Sequence, residues 1–152
     1  MTANGLLAGL VAITAPCAFV APWAAAVLGI VAGVIVVLAV LAVERIAKVD
    51  DPVGAVAVHG ANGLWGVLAV GLFANGTYGA GWNATTSGDL FDSGKGVVGF
   101  FGGDFSLGAR QLGAQAVGVV VLWTVIFGIA FAFFKIQNAV MKGGIRPTEE
   151  ME

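Results

Sequence analysis

The segment Val49-Asp50-Asp51-Pro52-Val53-Gly54-Ala55-Val56-Ala57-Val58-His59-Gly60-Ala61-Asn62-Gly63-Leu64-Trp65-Gly66 holds the only histidine of the chain. No Asp, Glu, Lys or Arg occurs between Pro52 and Gly88. An imidazole in the middle of an apolar helix is costly, because hydrocarbon cannot solvate its polar nitrogens. Such groups face a bundle interior or a pathway, and function is the first reading. Asp51-Pro52 reads as a helix start: an aspartate cap accepts orphan backbone N–H groups, and proline at the first helical position loses nothing. The segment predicts a membrane-crossing helix over 52–73.

The rest of the chain has the same character. Hydrophobic residues make up 59% and charged residues 11%, against a charged fraction of about 25% in soluble domains. Further charge-free stretches run over 1–43 and 111–134. Runs of about 20 apolar residues read as membrane spans. Pro16 and Pro22 divide the first stretch into helices over 3–19 and 23–42. The second of these reaches roughly 30 Å at 1.5 Å per residue, enough for the hydrocarbon core. With 52–73 and 111–134, the expected fold is all-α: a polytopic membrane bundle of four transmembrane helices. Residues 1–138 form the membrane portion and 139–152 a tail.

Basic residues set an expected orientation. Arg45, Lys48, Lys135, Lys142 and Arg146 lie on one side, and only Lys95 and Arg110 on the other. The excess places the 44–51 loop and both termini in the cytoplasm. Residues 74–109 then form one long external loop, with a short interfacial helix expected around 96–101. Tyr78, Trp82, Phe100, Phe101 and Phe105 suit an aromatic belt at headgroup level. The triplets at Asn75 and Asn83 match the glycosylation pattern, which arises often by chance.

Other classes fit poorly. The net charge of −2, without a basic cluster, argues against nucleic acid. Cys17 stands alone, which excludes an intrachain disulfide and a multi-thiolate metal site. No second histidine and no acidic residue lies within a span, so no metal, haem or other cofactor and no enzymatic activity are expected. No cleavable leader is evident, and the abrupt hydrophobic start reads as part of a longer protein.

On a regular helix, Asn62, Gly63 and Gly66 ahead of His59, and Val56, Ala55 and Pro52 behind it, share its face. That face is narrow, with an amide one turn from the ring. Small residues let helix backbones approach closely, and Ala25, Gly29 and Gly33 repeat the theme in the second span. The competing use of His59 is a purely structural hydrogen bond. Asp50 and Asp51 could form a cation-binding pair, but capping already accounts for Asp51. Thr14 could line a cavity beside Pro16 or return its hydroxyl to a carbonyl one turn back.

Together these residues resemble the ammonium transporter family (Amt/Mep/Rh). The resemblance is carried by Val49-Asp50-Asp51-Pro52 through Val58-His59-Gly60, Asn62-Gly63-Leu64-Trp65-Gly66 and Gly71-Leu72-Phe73-Ala74. Ala8-Gly9-Leu10-Val11-Ala12-Ile13-Thr14-Ala15-Pro16-Cys17 is similar to the family's eighth span. Phe133-Phe134-Lys135 and Gly144-Ile145-Arg146-Pro147 are similar to its last span and the start of its regulatory tail. The resemblance implies a partial ammonium-transporter fold, spans eight to eleven of eleven, from a subunit that assembles as a homotrimer in the plasma membrane. It implies that ammonium is deprotonated and that ammonia crosses a hydrophobic pore between two histidines, His59 being the second. Ala55 and Val56 are then pore wall, and Thr14 a candidate for the cytoplasmic half of the pathway. The implied partners are ammonium or ammonia, the lipid bilayer, the missing N-terminal spans and a nitrogen-regulatory signalling protein at the cytoplasmic face. The alternative is an ammonium-sensing or assembly module of the same fold without transport of its own.

Overall fold

The computed structural model describes residues 1–78, 97–141 and 144. Expectations for Trp82, Asn83, Lys95, Gly96, Lys142, Arg146 and most of the 139–152 tail lie outside these residues. The chain divides into two compact units, Met1–Ala116 and Val117–Glu152. Every named element among the described residues is a helix, with one isolated bridge between Asn75 and Val98.

Helix α1 spans Thr2–Thr14. It ends five residues short of the expected 3–19. Pro16 has no N–H to give the Ala12 carbonyl, so the ladder stops there and the chain turns, with the Phe19 N–H donating to the Pro16 carbonyl at 2.8 Å. At 13 residues α1 is shorter than the others and reaches roughly 20 Å, less than a hydrocarbon core. Three helices are long and apolar enough to cross a membrane among the described residues, and α1 is a shorter apolar helix beside them.

Helix α2 spans Pro22–Ala47. Extended Ala21 precedes it, and Pro22 sits in the first turn, where its missing N–H costs nothing. Its last turn, Val43–Ala47, is π-helical. Ala24, Leu28, Ala32 and Val36 form its buried stripe, one every four residues. The expected stripe Ala25, Gly29 and Gly33 lies one position away; open space surrounds both of its glycines.

Helix α3 spans Val56–Phe73, opening as a π turn over Val56–Ala61 and continuing as α-helix over Asn62–Phe73. It begins four residues after the expected Pro52. Asp51-Pro52-Val53-Gly54 forms a β-turn instead, closed by the Gly54 N–H on the Asp51 carbonyl at 2.9 Å. Proline second and glycine fourth are favoured in such turns. Gly54 has φ +72, and a Cβ there would stand 2.5 Å from Asn4 Nδ2. Asn4 in turn donates to the Val53 carbonyl at 3.1 Å, tying the start of α1 to this turn. Gly54→Ala therefore lowers stability by about 2 kcal/mol, the left-handed penalty of about 1–2 kcal/mol plus the displaced amide. Thermal unfolding in detergent checks this; an unchanged midpoint would count against the turn.

Small residues bring α1, α2 and α3 together. Ala8, Val36, Ala57 and Val58 form one buried cluster, and Val20, Ala24, Leu28 and Ala69 another. At the far end of α3, residues 97–102 dock as turns and a bridge, not as the expected short helix. The Phe100 and Phe101 N–H groups donate to the Gly71 and Leu72 carbonyls, each at 2.8 Å. They satisfy carbonyls that a helix end leaves without partners. Phe73 there contacts Trp23, Trp65 and Phe101, while Phe100 meets Phe101 and Phe105. Asn75 Oδ1 accepts from the Thr77 and Tyr78 N–H groups, an Asx turn.

Helix α4 spans Phe105–Val140, longer at both ends than the expected 111–134. Asp104 starts it: its carboxylate accepts the Leu107 N–H at 3.1 Å and its carbonyl the Gly108 N–H at 2.9 Å. Arg110 and Lys135, which bounded the charge-free window, lie within the helix, because long basic stems carry their charge away from an apolar surface. Within the second unit, a π turn over Leu122–Ile126 precedes Phe127–Val140. Trp123, Phe127 and Phe131 stack at four-residue spacing, and Lys135 Nζ lies 5.5 Å from the Phe131 ring centroid.

Candidate functional site: the π turn of α3 and its histidine

The start of α3 is built from the Asp51 side chain. Oδ1 accepts the Ala55 N–H at 2.7 Å and Oδ2 the Val56 N–H at 2.9 Å. Both carboxylate oxygens thus serve donors that the first turn leaves unpaired. Ala55 and Val56, which follow, are exposed, and so is His59. Among the described residues, no group hydrogen-bonds the imidazole.

Asn62 and Gly66 are buried, Asn62 at 0% exposure. They do not share the face of His59, as regular helical spacing requires. The cause is the π turn. Counting back from Asn62, the buried positions are Val58 and Ala57, four and five residues earlier. A regular α-helix would bury the residues three and four earlier, His59 among them. The extra residue in the turn rotates everything before it by one residue, about 100°. His59, Val56 and Ala55 are thereby carried away from α1 and α2.

The inward face is held by close backbone contact. A Cβ at Gly66 would stand 2.5 Å from the carbonyl oxygen of Ala12, the group that Pro16 leaves without its helical donor. Asn62 Nδ2 donates to the Ala57 carbonyl at 3.0 Å, while the Asn62 backbone N–H goes to the His59 carbonyl. Asn62 Oδ1 is buried and has no partner among the described residues.

Thr14 lies elsewhere. It is exposed, and its hydroxyl donates to the Leu10 carbonyl at 2.7 Å. Asn4 marks the Val53 end of α1, whereas Ala15 and Phe19 pack on the cluster of Val70, Ala74 and Val97. Thr14 is therefore on the 74–78 side of the bundle. The 44–51 loop, which charge counting puts in the cytoplasm, is at the other end. Helix α1 runs away from that loop, so Thr14 and the 44–51 loop lie at opposite ends of the bundle.

Neither the role of Asn4 nor the π turn is legible in the sequence, where Gly54 reads as one more small residue of the helix. A glycine between a proline turn and an apolar run was the one available signal for the late start of α3.

Comparison with known proteins then bears on the whole chain. The family profile described as Ammonium Transporter Family matches residues 1–152. The chain is 40% identical over 151 residues to Ammonium transporter Amt2 of Archaeoglobus fulgidus, covering 99% of the chain and 29% of that protein. It is 34% identical over 149 residues to an ammonium transporter of Bacillus subtilis, covering 98% of the chain and 32% of that protein. It is 40% identical over 131 residues to Ammonium transporter 1 member 2 of Arabidopsis thaliana, covering 84% of the chain and 23% of that protein. The chain thus spans less than a third of the length of these relatives. No solved structure matches it.

Proposed function

Since this chain belongs to the ammonium transporter family and is a multi-pass helical membrane protein, we propose that it forms the C-terminal portion of an ammonium transporter, with His59 as one of two paired pore histidines. The observation that carries this reading is the exposed, unbonded imidazole on an apolar helix, flanked by exposed Ala55 and Val56. A ring turned away from its own bundle fits a surface that further spans complete. The chain has one histidine, so the facing ring belongs to those spans.

Magnitudes favour moving the neutral amine. Taking a cation of ammonium size into a dry interior costs on the order of 20 kcal/mol in the idealised limit. Deprotonating an amine with the lysine value of about 10.4 costs about 5 kcal/mol at pH 7, at 1.36 kcal/mol per unit. Ammonium therefore gives up its proton outside the apolar passage, and ammonia crosses between the rings. A neutral imidazole has one donor and one acceptor nitrogen. It takes the proton on one and releases the other, passing charge along the pair to rejoin ammonia on the far side. The chain sits in the plasma membrane with both termini cytoplasmic, as part of a homotrimer whose tail meets a nitrogen-regulatory protein.

The test is uptake of labelled methylammonium by cells without ammonium transport of their own. Cells given Met1–Glu152 alone show background uptake; cells given the chain with the seven further spans of its family show uptake well above it. Saturable uptake by the chain alone would overturn the proposal.

A further inference from the structure

We propose that Asn62 is a positioning residue: its buried amide holds the π turn Val56–Ala61 open and so turns His59 away from α1 and α2. Three observations converge. The hydrogen bond from Asn62 Nδ2 reaches the Ala57 carbonyl, five residues back, which is the spacing of a π turn. The Asn62 backbone N–H is taken by His59, three residues back. The side-chain amide thus stands in for a backbone donor that the widened turn has diverted.

The third observation is the cost of keeping this residue. Asn62 is fully buried, and its Oδ1 has no partner among the described residues. A buried acceptor left unpaired opposes folding. Asparagine at an apolar interface is therefore poorly explained by packing, and well explained by the one bond that it makes. Without that bond, the Ala57 carbonyl draws a backbone donor from one residue nearer, and the turn closes to regular α-helix. Gly66 is pinned against Ala12, so the part before Asn62 must rotate. Position 59 would then fall on the buried face, three residues before Asn62. π turns recur at functional sites because one extra residue re-aims a side chain without breaking the helix.

The geometry stands by itself; its consequence for transport rests on the pore role of His59 proposed above. The experiment keeps the two apart. A reporter thiol is placed by His59→Cys in the full chain, with exposed Cys17 as internal reference. N-ethylmaleimide labelling is resolved site by site by mass spectrometry in detergent. Adding Asn62→Leu is expected to slow labelling at 59 by about tenfold or more, since a buried thiol reacts only through local opening. Cys17 labelling should stay unchanged. Asn62→Asp, isosteric, keeps in its acid form an O–H donor for the Ala57 carbonyl and should restore the rate. Asn62→Ala removes the amide without adding volume and should act like Asn62→Leu, which covers misfolding of the larger variant.

Unchanged labelling at 59 in both Asn62→Leu and Asn62→Ala, with Cys17 constant, would overturn the inference. Failure of Asn62→Asp to restore the rate would also count against it. Methylammonium uptake by the Asn62→Leu protein with His59 intact, in complex with its further spans, is read separately. Slowed labelling with normal uptake leaves the positioning role standing and removes the pore role of His59.

Discussion

His59→Ala, in the transporter completed by its further spans, lowers the initial rate of methylammonium uptake by about 100-fold or more. A positioned proton-transfer group contributes roughly 10²–10⁴, and methyl cannot replace either imidazole nitrogen. In this chain by itself the same substitution should leave stability nearly unchanged. His59 is exposed in this chain and makes no side-chain hydrogen bond among the described residues, and surface changes of this kind stay within about 0.5 kcal/mol. Loss of transport with unchanged amounts of protein in the membrane is thus the expected pattern. Normal proton-coupled uptake by the variant would reduce His59 to a packing residue.

Gly66→Ala has a large expected effect on stability. The added methyl would stand 2.5 Å from the Ala12 oxygen, 3.1 Å from its carbonyl carbon and 3.2 Å from its Cα. All three are backbone atoms, so no rotamer change relieves the overlap, and α1 must move away from α3. Overpacking typically costs about 1–3 kcal/mol, and a clash with backbone lies at the upper end, about 3 kcal/mol. The movement also loosens the Ala8, Ala57 and Val58 cluster that lies along the same contact. Thermal unfolding in detergent reads this directly; a midpoint within a degree of the parent would show that the contact is not tight.

These expectations draw on features of unequal visibility. Pro22 is readable as a helix start because proline there acts locally, through a missing N–H. The end of α1 is less so: Pro16 stops the hydrogen-bond ladder one turn before its own position. The limits of α4 are misread from charge, since Arg110 and Lys135 sit inside the helix while Asp104 caps it. In α2 the small residues repeat on two adjacent stripes. Composition does not distinguish Ala25, Gly29 and Gly33 from Ala24, Leu28, Ala32 and Val36, and only packing buries the second set.

Much of the candidate site shares that limit. His59 stands out because a lone imidazole at the middle of an apolar run is anomalous in any helix. Its direction does not, because helical periodicity assumes one uniform turn.

The sequence by itself determined that the chain is a bundle of apolar helices suited to a bilayer, with one imidazole set in an apolar run. Hydrocarbon selects for long uncharged runs, and that selection is written in composition. Only the tertiary structure decided which way the ring points. Ala12, 54 residues before Gly66, fixes the inward face of α3. The Asn62 amide holds the extra residue in its first turn. A rotation set by contacts between distant segments leaves no local periodicity to read.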